Sequence, residues 1–459
     1  MSEVTTFKIH SLELKNFRAF ELLNIDFHDK LSVIVAKNGI GKTSILDAIA
    51  VAIGPFIGSF TEAVGKHFAF DDIRMFKARE TESNEMEYAA GGVSLSAKGR
   101  FNHKTQISWK RELSAPKKAK TTIKNAKILI EIGKSLQESV QTKKKAGESE
   151  TLLPIIAYYG TGRLWQMQKL TESRTDRTSR MIGYADCLNP GSSFRTFADW
   201  FKYWSESKWR PKMEAMRLGK VAADTEFDQW IASVNHAVSI CLRVSGWQAL
   251  DYSIARQELV GIHPQNGELP ISLLSDGVRS MIALVADIAF RATKLNPHLG
   301  AEASRKTPGI VLIDEVDMHL HPEWQQLVLS GLTEAFPEIQ FIVTTHSPQV
   351  LTTVPPECIR ELVRDGNVLR VVIPEFSLGA ESPYVLETIQ GVNTRPQHLE
   401  IVKELNEYQQ LITEDQWDIP RALELREKLH AWGHGFEPAL VKMDMDIRMR
   451  AYRRGKAAQ

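Results

Sequence analysis

The chain has 459 residues, which is room for two to four domains at about 100–200 residues each. Its charged fraction of 25% and apolar fraction of 43% are those of an ordinary globular protein. Lysine and arginine number 57 against 56 acidic residues, a balance that excludes a uniformly basic nucleic-acid-coating protein and still permits a local basic patch.

No apolar run approaches the roughly 18 residues a membrane helix needs, and the first residues hold no signal-peptide core. Cys187, Cys241 and Cys358 lie too far apart for a CxxC knuckle. A cytoplasmic setting without membrane association is therefore expected. Along the chain, Lys8 to Phe17 alternates apolar and polar side chains as a half-buried strand does. Leu31-Ser32-Val33-Ile34-Val35 is a more continuous apolar run, the pattern of a strand buried on both faces. A loop over 36–41 precedes helical spacing from Lys42 to Ile53, which Gly54-Pro55 is expected to stop. Residues 86–112 alternate again and predict an antiparallel sheet. Between Pro116 and Lys145, nine lysines (Lys117, Lys118, Lys120, Lys124, Lys127, Lys134, Lys143, Lys144 and Lys145) face two acids, Glu131 and Glu138. There Ile128, Ile130 and Ile132 alternate like a strand, while Ile128, Ile132 and Leu136 fit a helix face, and spacing leaves both open. Pro154 to Tyr159 reads as a buried strand. Residues 191–260 read as mostly helical and aromatic-rich (Phe197, Trp200, Phe201, Trp204, Trp209), and 277–293 as a helix. Ile310 to Ile313 and Phe341 to Val343 are short buried strands ending in polar residues, and from about 376 the pattern is amphipathic helix.

Four motifs carry chemistry. Ala36-Lys37-Asn38-Gly39-Ile40-Gly41-Lys42-Thr43 nearly matches the P-loop pattern GxxxxGK[ST], with Ala36 at the first glycine. Gly39 and Gly41 let backbone N–H groups approach phosphate oxygens, and the helix that follows adds its positive end. Lys42 supplies a point charge for the β- and γ-phosphates, and the Thr43 hydroxyl is a ligand for Mg²⁺. Asn38 and Ser44 join the same nucleotide-binding set. Next, four apolar residues followed by Asp314-Glu315 form a Walker B pattern, with Asp314 in the Mg²⁺ shell and Glu315 as general base on water. Ser275 suits a helix N-cap, and with Gly277 and free helix N–H groups it forms an anion site. It stands in Leu274-Ser275-Asp276-Gly277, 37 residues ahead of Asp314 counted from Gly277. Finally, His346 ends a strand 31 residues after Glu315. His319 and His321 read as surface residues or, on the resemblance to ABC-type ATPases that these motifs carry, as part of the loop that crosses to a second subunit in that family.

In this order the motifs resemble those of ABC-type ATPases of the SMC/RecF group, with Leu274 to Gly277 as the LSGGQ-like signature and His346 as the switch histidine that senses the γ-phosphate. Leu14-Lys15-Asn16-Phe17-Arg18-Ala19-Phe20 is also typical of that group. Ala157 to Arg163 (AYYGTGR) resembles a segment of the overcoming-lysogenization-defect ATPases, and would sit where other members carry the Q-loop, with Gln166 and Gln168 nearby. The resemblance implies an α/β ABC-ATPase head, a mixed sheet with a P-loop core and an antiparallel β subdomain, bearing a helical insertion and a C-terminal helical extension. It divides the chain into an ATPase lobe at 1–112, a helical insertion at 113–260, a second ATPase lobe at 261–375 and a partner-binding extension at 376–459. It further implies a head-to-head dimer in which Ser275 and Gly277 act on ATP held by Lys42 and Thr43 of the other copy, and in which hydrolysis assisted by Glu315 opens the pair.

The separation of 231 positions from Thr43 to Leu274 is too short and irregular for SMC heptad arms. Ser382 to Ile389 (SPYVLETI) and Gly391 to Pro396 (GVNTRP) resemble the PtuA family, the ATPase subunits of Septu anti-phage systems, and related retron systems. That resemblance implies an ATP-hydrolysing regulatory and sensor subunit acting on a separate HNH nuclease. A RecF-like DNA-repair ATPase without a nuclease partner, and a scaffold with structural ATP, are the competing readings. No nuclease site is expected in this chain: Asp444-Met445-Asp446 lies in a helical stretch, and His430 and His434 lack the glutamate of a zinc protease motif. DNA contact would fall to the lysines of 117–145 and to Arg448, Arg450, Arg453, Arg454 and Lys456.

Overall fold

The computed structural model describes residues 6–77, 86–89, 91–102, 105–114, 121–146, 150–162, 179–191, 194–366 and 368–457. Lys117, Lys118, Lys120, Arg163, Gln166 and Gln168 lie outside these residues, as do the side chains of Lys144, Lys145 and Lys456.

The first stretch of chain runs β1 (Phe7–Phe17), β2 (Phe20–Asp26), β3 (Leu31–Val35), α1 (Lys42–Ile57), β4 (Met75–Lys77), β5 (Met86–Tyr88), β6 (Val93–Phe101), β7 (Thr105–Leu113), β8 (Thr121–Thr122), α2 (Lys127–Ala146) and β9 (Ile155–Tyr159). Then come α3 (Phe194–Arg217), α4 (Glu226–Cys241), β10 (Ala249–Ser253), β11 (Glu258–His263), β12 (Gly267–Pro270) and α5 (Asp276–Leu295). These are followed by α6 (Ala303–Lys306), β13 (Gly309–Ile313), α7 (Pro322–Gln325), α8 (Val328–Ala335), β14 (Ile339–Thr344), α9 (Pro348–Leu351), β15 (Ile359–Asp365), β16 (Val368–Val372) and α10 (Ser382–Thr388). The last three helices are α11 (Glu400–Thr413), α12 (Pro420–Gly433) and α13 (Pro438–Ala457).

The continuous apolar runs become the centre of a six-stranded sheet in the order β16-β15-β3-β14-β13-β9. Every residue of β3, β9, β13 and β14 is buried, as a sheet covered on both faces requires. Its strands are parallel except β16, so the loops after β3, β14, β13 and β9 leave from one edge. The alternating segments instead form a five-stranded antiparallel sheet, β2-β1-β6-β7-β8, with one face in the core. Gln340, fully buried on β14, joins the two sheets. The β1–β6 register shifts between Ile9 and Ser11, and the Gln340 amide takes up the groups this releases. It accepts from the Ile9 N–H at 3.0 Å and donates to the Ile9 carbonyl at 2.8 Å and the His28 carbonyl at 2.9 Å.

Three sequence readings change or resolve. The helix after the P-loop does not stop at Gly54-Pro55 but runs to Ile57 with Pro55 inside it. Proline lacks the N–H that would reach the Val51 carbonyl; the buried Arg111 guanidinium donates to that carbonyl instead, and to Lys66 O at 2.8 Å. The segment left open at 127–146 is a helix, and its buried stripe is Leu129, Gly133 and Leu136 with Ile128 outside. Gly133 sits there because a Cβ would fall 1.9 Å from Ser59 Oγ beside α1. Residues 249–260, read as part of a helical stretch, instead belong to the antiparallel hairpin of β10 and β11, since Leu250 and Tyr252 alternate with more exposed neighbours.

Residues Leu386–Gln459 form a second compact unit. Here α11, α12 and α13 bury Leu405, Tyr408, Ile412, Leu425, Leu429, Leu440 and Met443. Asp444 pairs with Arg426 and His430, and Asp446 with Arg450. Arg450 also pairs with Asp415, and Arg454 with Asp418. His434 ends α12 in a left-handed conformation, off the helix that carries His430. No helix among the described residues is long and apolar enough to cross a membrane.

Candidate functional site

The loop from β3 into α1 is shaped by two glycines with positive φ, Gly39 at 78° and Gly41 at 106°. Gly41 is doubly required, because a Cβ there would fall 2.8 Å from the Phe20 ring. Ala36 has no left-handed φ, so the position where the P-loop pattern has glycine tolerates a Cβ here. Lys42 is 7% exposed, and its Nζ donates to the Ala36 carbonyl at 2.9 Å. Burial pulls its ammonium below the ordinary lysine value, opposed by the charges of Asp314, Glu315 and Asp317.

Those acids follow β13, which lies one strand away from β3 across β14. Thr43 Oγ1 donates to Asp314 Oδ2 at 2.7 Å, and Thr344 Oγ1 to Asp314 Oδ1 at 2.6 Å. Glu315 has φ 46°, a strained conformation for a side-chain-bearing residue, held by its N–H donating to Thr344 Oγ1 at 2.7 Å. Asp317 accepts from Thr345 Oγ1 at 2.5 Å and from the His346 N–H at 3.4 Å. This fixes the turn that carries the exposed His346. Lys42, Thr43, Asp314, Glu315 and His346 are thus gathered at one edge of one sheet, with Asn38, Gly39 and Ser44 in the same loop and first helical turn.

A magnesium ion can be tested against these atoms. Neighbouring ligands of an octahedral ion at about 2.1 Å stand about 3 Å apart, and Thr43 Oγ1 and Asp314 Oδ2 are already 2.7 Å apart. The pair fits a Mg²⁺ after a small opening. Among the described residues no cluster of three or more His, Cys, Asp or Glu side chains competes for a metal.

Ser275 and Gly277 gather elsewhere. Ser275 is the N-cap residue of α5 by its backbone, yet its hydroxyl caps no N–H and it is exposed. Gly277 packs on the turn after Asp314: a Cβ would fall 2.7 Å from the His319 carbonyl. Asp276, a departure from the signature pattern, pairs with Arg279. His319 holds φ 63°, and the His321 ring accepts from the Glu323 N–H to cap α7.

Several residues of this edge escape motif reading. Thr344 and Asp317 scaffold the acids and the turn that carries His346. On α1, Asp47 lies one turn beyond Thr43 and binds Arg18 at 2.7 Å and Lys66 at 2.5 Å, while Arg18 also holds Asp72 at 2.8 Å. Burial, reinforced by Asp47 and Asp314, drives the Tyr158 hydroxyl far above the usual phenol range. A lone acid in the apolar run Ile45 to Ile53 was the available signal for Asp47.

Two descriptions of AAA domains match this chain: "AAA domain" over residues 11–208, and "AAA domain, putative AbiEii toxin, Type IV TA system" over residues 251–352. Between them they take in both halves of the site above, and over each of these stretches the chain is similar to AAA-type ATPases. Among particular relatives, it is 26% identical to the Retron Ec83 probable ATPase of Escherichia coli over 97% of this chain and 87% of that one. It is 24% identical to the Retron Vc95 probable ATPase of Vibrio cholerae serotype O1 biovar El Tor over 92% and 86%. A Septu protein PtuA of Bacillus thuringiensis matches at 30% identity over 31% of this chain and 38% of its own length. The SMC head domain from Thermotoga maritima aligns at 17% identity over 80% of this chain and all of that one, with a TM-score of 0.42.

Proposed function

We propose that this chain binds and hydrolyses ATP between two head-to-head copies, and that the closed pair controls a separate HNH nuclease in a two-component anti-phage defence complex. The observation that carries the ATPase reading is the direct contact of Thr43 with Asp314, which joins the phosphate loop to the acid strand beside Lys42. Lys42 and the N–H groups of the loop and of α1's first turn hold the triphosphate. Thr43 and Asp314 are the groups that would hold Mg²⁺, which supplies charge neutralisation on the phosphates. Glu315, its backbone fixed by Thr344, takes the proton of the attacking water, and His346 reads the γ-phosphate. Ser275 and Gly277 complete the pocket from the other copy, so ATP favours the closed pair by its differential affinity for that state. The likeness to retron ATPases over most of both chains, and the local one to PtuA, support the defence reading.

The test has two arms. Glu315→Gln should retain ATP while turnover falls on the order of 10²–10⁴-fold, and Lys42→Ala should lose both. Co-expression with the neighbouring reading frame should bring an HNH protein through purification with this chain. Turnover by Glu315→Gln at the parent rate removes the general-base assignment. DNA binding with no co-purifying nuclease would favour a RecF-like repair ATPase instead.

A further inference from the structure

The last helix, α13, carries two apolar stripes. Leu440, Met443 and Ile447 are buried in the core it shares with α11 and α12. Val441, Met445 and Met449 follow one another at intervals of four and are 54%, 63% and 58% exposed. At 3.6 residues per turn the second stripe points about 180° from the first, away from the core of its own unit, and runs about 12 Å along the axis.

The charges of α13 divide in the same way. On the buried side, Arg450 pairs with Asp415 and Asp446, and Arg454 with Asp418. Asp444 is taken up by Arg426, so both acids of the helix are already engaged. The exposed stripe is edged by Arg448 on one side and by Lys442 and Arg453 on the other. All three are exposed, and among the described residues none of them makes an ion pair. Uncompensated positive charge on this helix therefore lies only beside the exposed stripe.

Single exposed apolar side chains are ordinary, but three in register between cations form a surface with two requirements. Spacing of four along one helix suits the apolar face of another helix, and the flexible thioethers of Met445 and Met449 adapt to its shape. The bordering cations call for acids at the rim of that partner. A second copy of α13 would instead set like charges against Lys442, Arg448 and Arg453. Nucleic acid would use the cations and leave the stripe in water. A bilayer surface favours leucine, phenylalanine and tryptophan on the apolar face, and this stripe has none.

We propose that the outer face of α13 docks an acidic amphipathic helix of a separate protein, independently of the ATPase reading. Its apolar seam lies on Val441, Met445 and Met449, and its flanking carboxylates meet Lys442, Arg448 and Arg453. In the experiment the immobilised full chain selects from a library of helical peptides of about four heptads, with a fixed apolar seam and either Glu or Lys at each flanking position. Glu-rich peptides should be enriched, and should bind at least tenfold more weakly to Met445→Gln/Met449→Gln. The charge-reversed chain Lys442→Glu/Arg448→Glu/Arg453→Glu should select Lys-rich peptides instead. No enrichment, enrichment of Lys-rich peptides by the parent, or enrichment that both variants leave unchanged overturns the proposal. So does finding that these variants lose, in place of peptide binding, attachment to phosphatidylserine vesicles, binding of duplex DNA or self-association in sedimentation. Substitutions of exposed residues should leave the melting midpoint within about 2 °C of the parent. A larger fall, or failure to fold, in Met445→Gln/Met449→Gln would mean that this chain itself covers the stripe, and overturns the proposal too.

Discussion

Arg291→Met tests whether α5 is keyed to the sheet by a buried charge pair. Arg291 Nε and the Tyr159 hydroxyl both donate to Asp287 Oδ2 at 2.7 Å, and the Arg291 and Asp287 side chains are each 4% exposed. Arg291 Nη1 also donates to Gly183 O at 3.0 Å and Ala185 O at 2.9 Å. Removing the guanidinium leaves a carboxylate without its cation in a dry site, a loss of about 4 kcal/mol. At roughly 2.1 cal/mol/K per residue over this unit, the unfolding entropy is about 0.8 kcal/mol/K, so the midpoint should fall about 5 °C. Asp287→Leu strands the guanidinium and should cost a similar amount. The double variant removes both charges together and should lose only about 3 kcal/mol, chiefly the acceptor of Tyr159 and the donors to residues 183 and 185. Guanidinium titration of the four proteins, followed by tryptophan fluorescence, gives the cycle. A double-variant loss equal to the sum of the singles within about 0.5 kcal/mol would mean that the pair is not coupled, and the keying argument would fail.

Gln340→Leu should cost about 2–4 kcal/mol, because the Ile9 N–H and carbonyl lose their partners at the β1 irregularity; a melting curve matching the parent would show that water or β6 takes over. Gly41→Ala faces both a φ of 106° and the Phe20 ring at 2.8 Å, so a fluorescent ATP analogue should bind at least tenfold more weakly, and parent-like binding would refute the assigned loop geometry. Burial raises the Glu361 carboxyl from 4.5 to about 6, with Lys37 opposing. The native chain therefore holds that proton more tightly than the unfolded one, and stability declines as pH rises from about 4.5 through 6. Glu361→Gln should then gain roughly 1 kcal/mol at pH 7.5, allowing for solvent screening, and nothing near pH 4. An equal gain at both pH values would remove titration as the cause.

Some of this protein was legible in the order of its residues. Glycines with left-handed backbones, a lysine and hydroxyl opening a helix, and acids ending an apolar run are local chemistry, so the P-loop and Asp314-Glu315 stand out without a fold. The apolar runs at 33–35, 310–313 and 341–343 likewise announce strands covered on both faces, because only a doubly packed sheet hides every side chain. What pairing decides was not legible. Nothing near Pro55 says that a guanidinium 56 residues later will take the carbonyl it abandons, nor that Leu129 and Gly133, rather than Ile128 and Ile132, will face α1. The aromatic residues of 197–230 read as helix faces; that Trp200 and Trp204 pack on a common ring depends on Phe290 arriving from α5. Local propensity acts over a few residues, whereas burial, unpaired backbone groups and buried charges are satisfied by whichever distant segment the topology brings near.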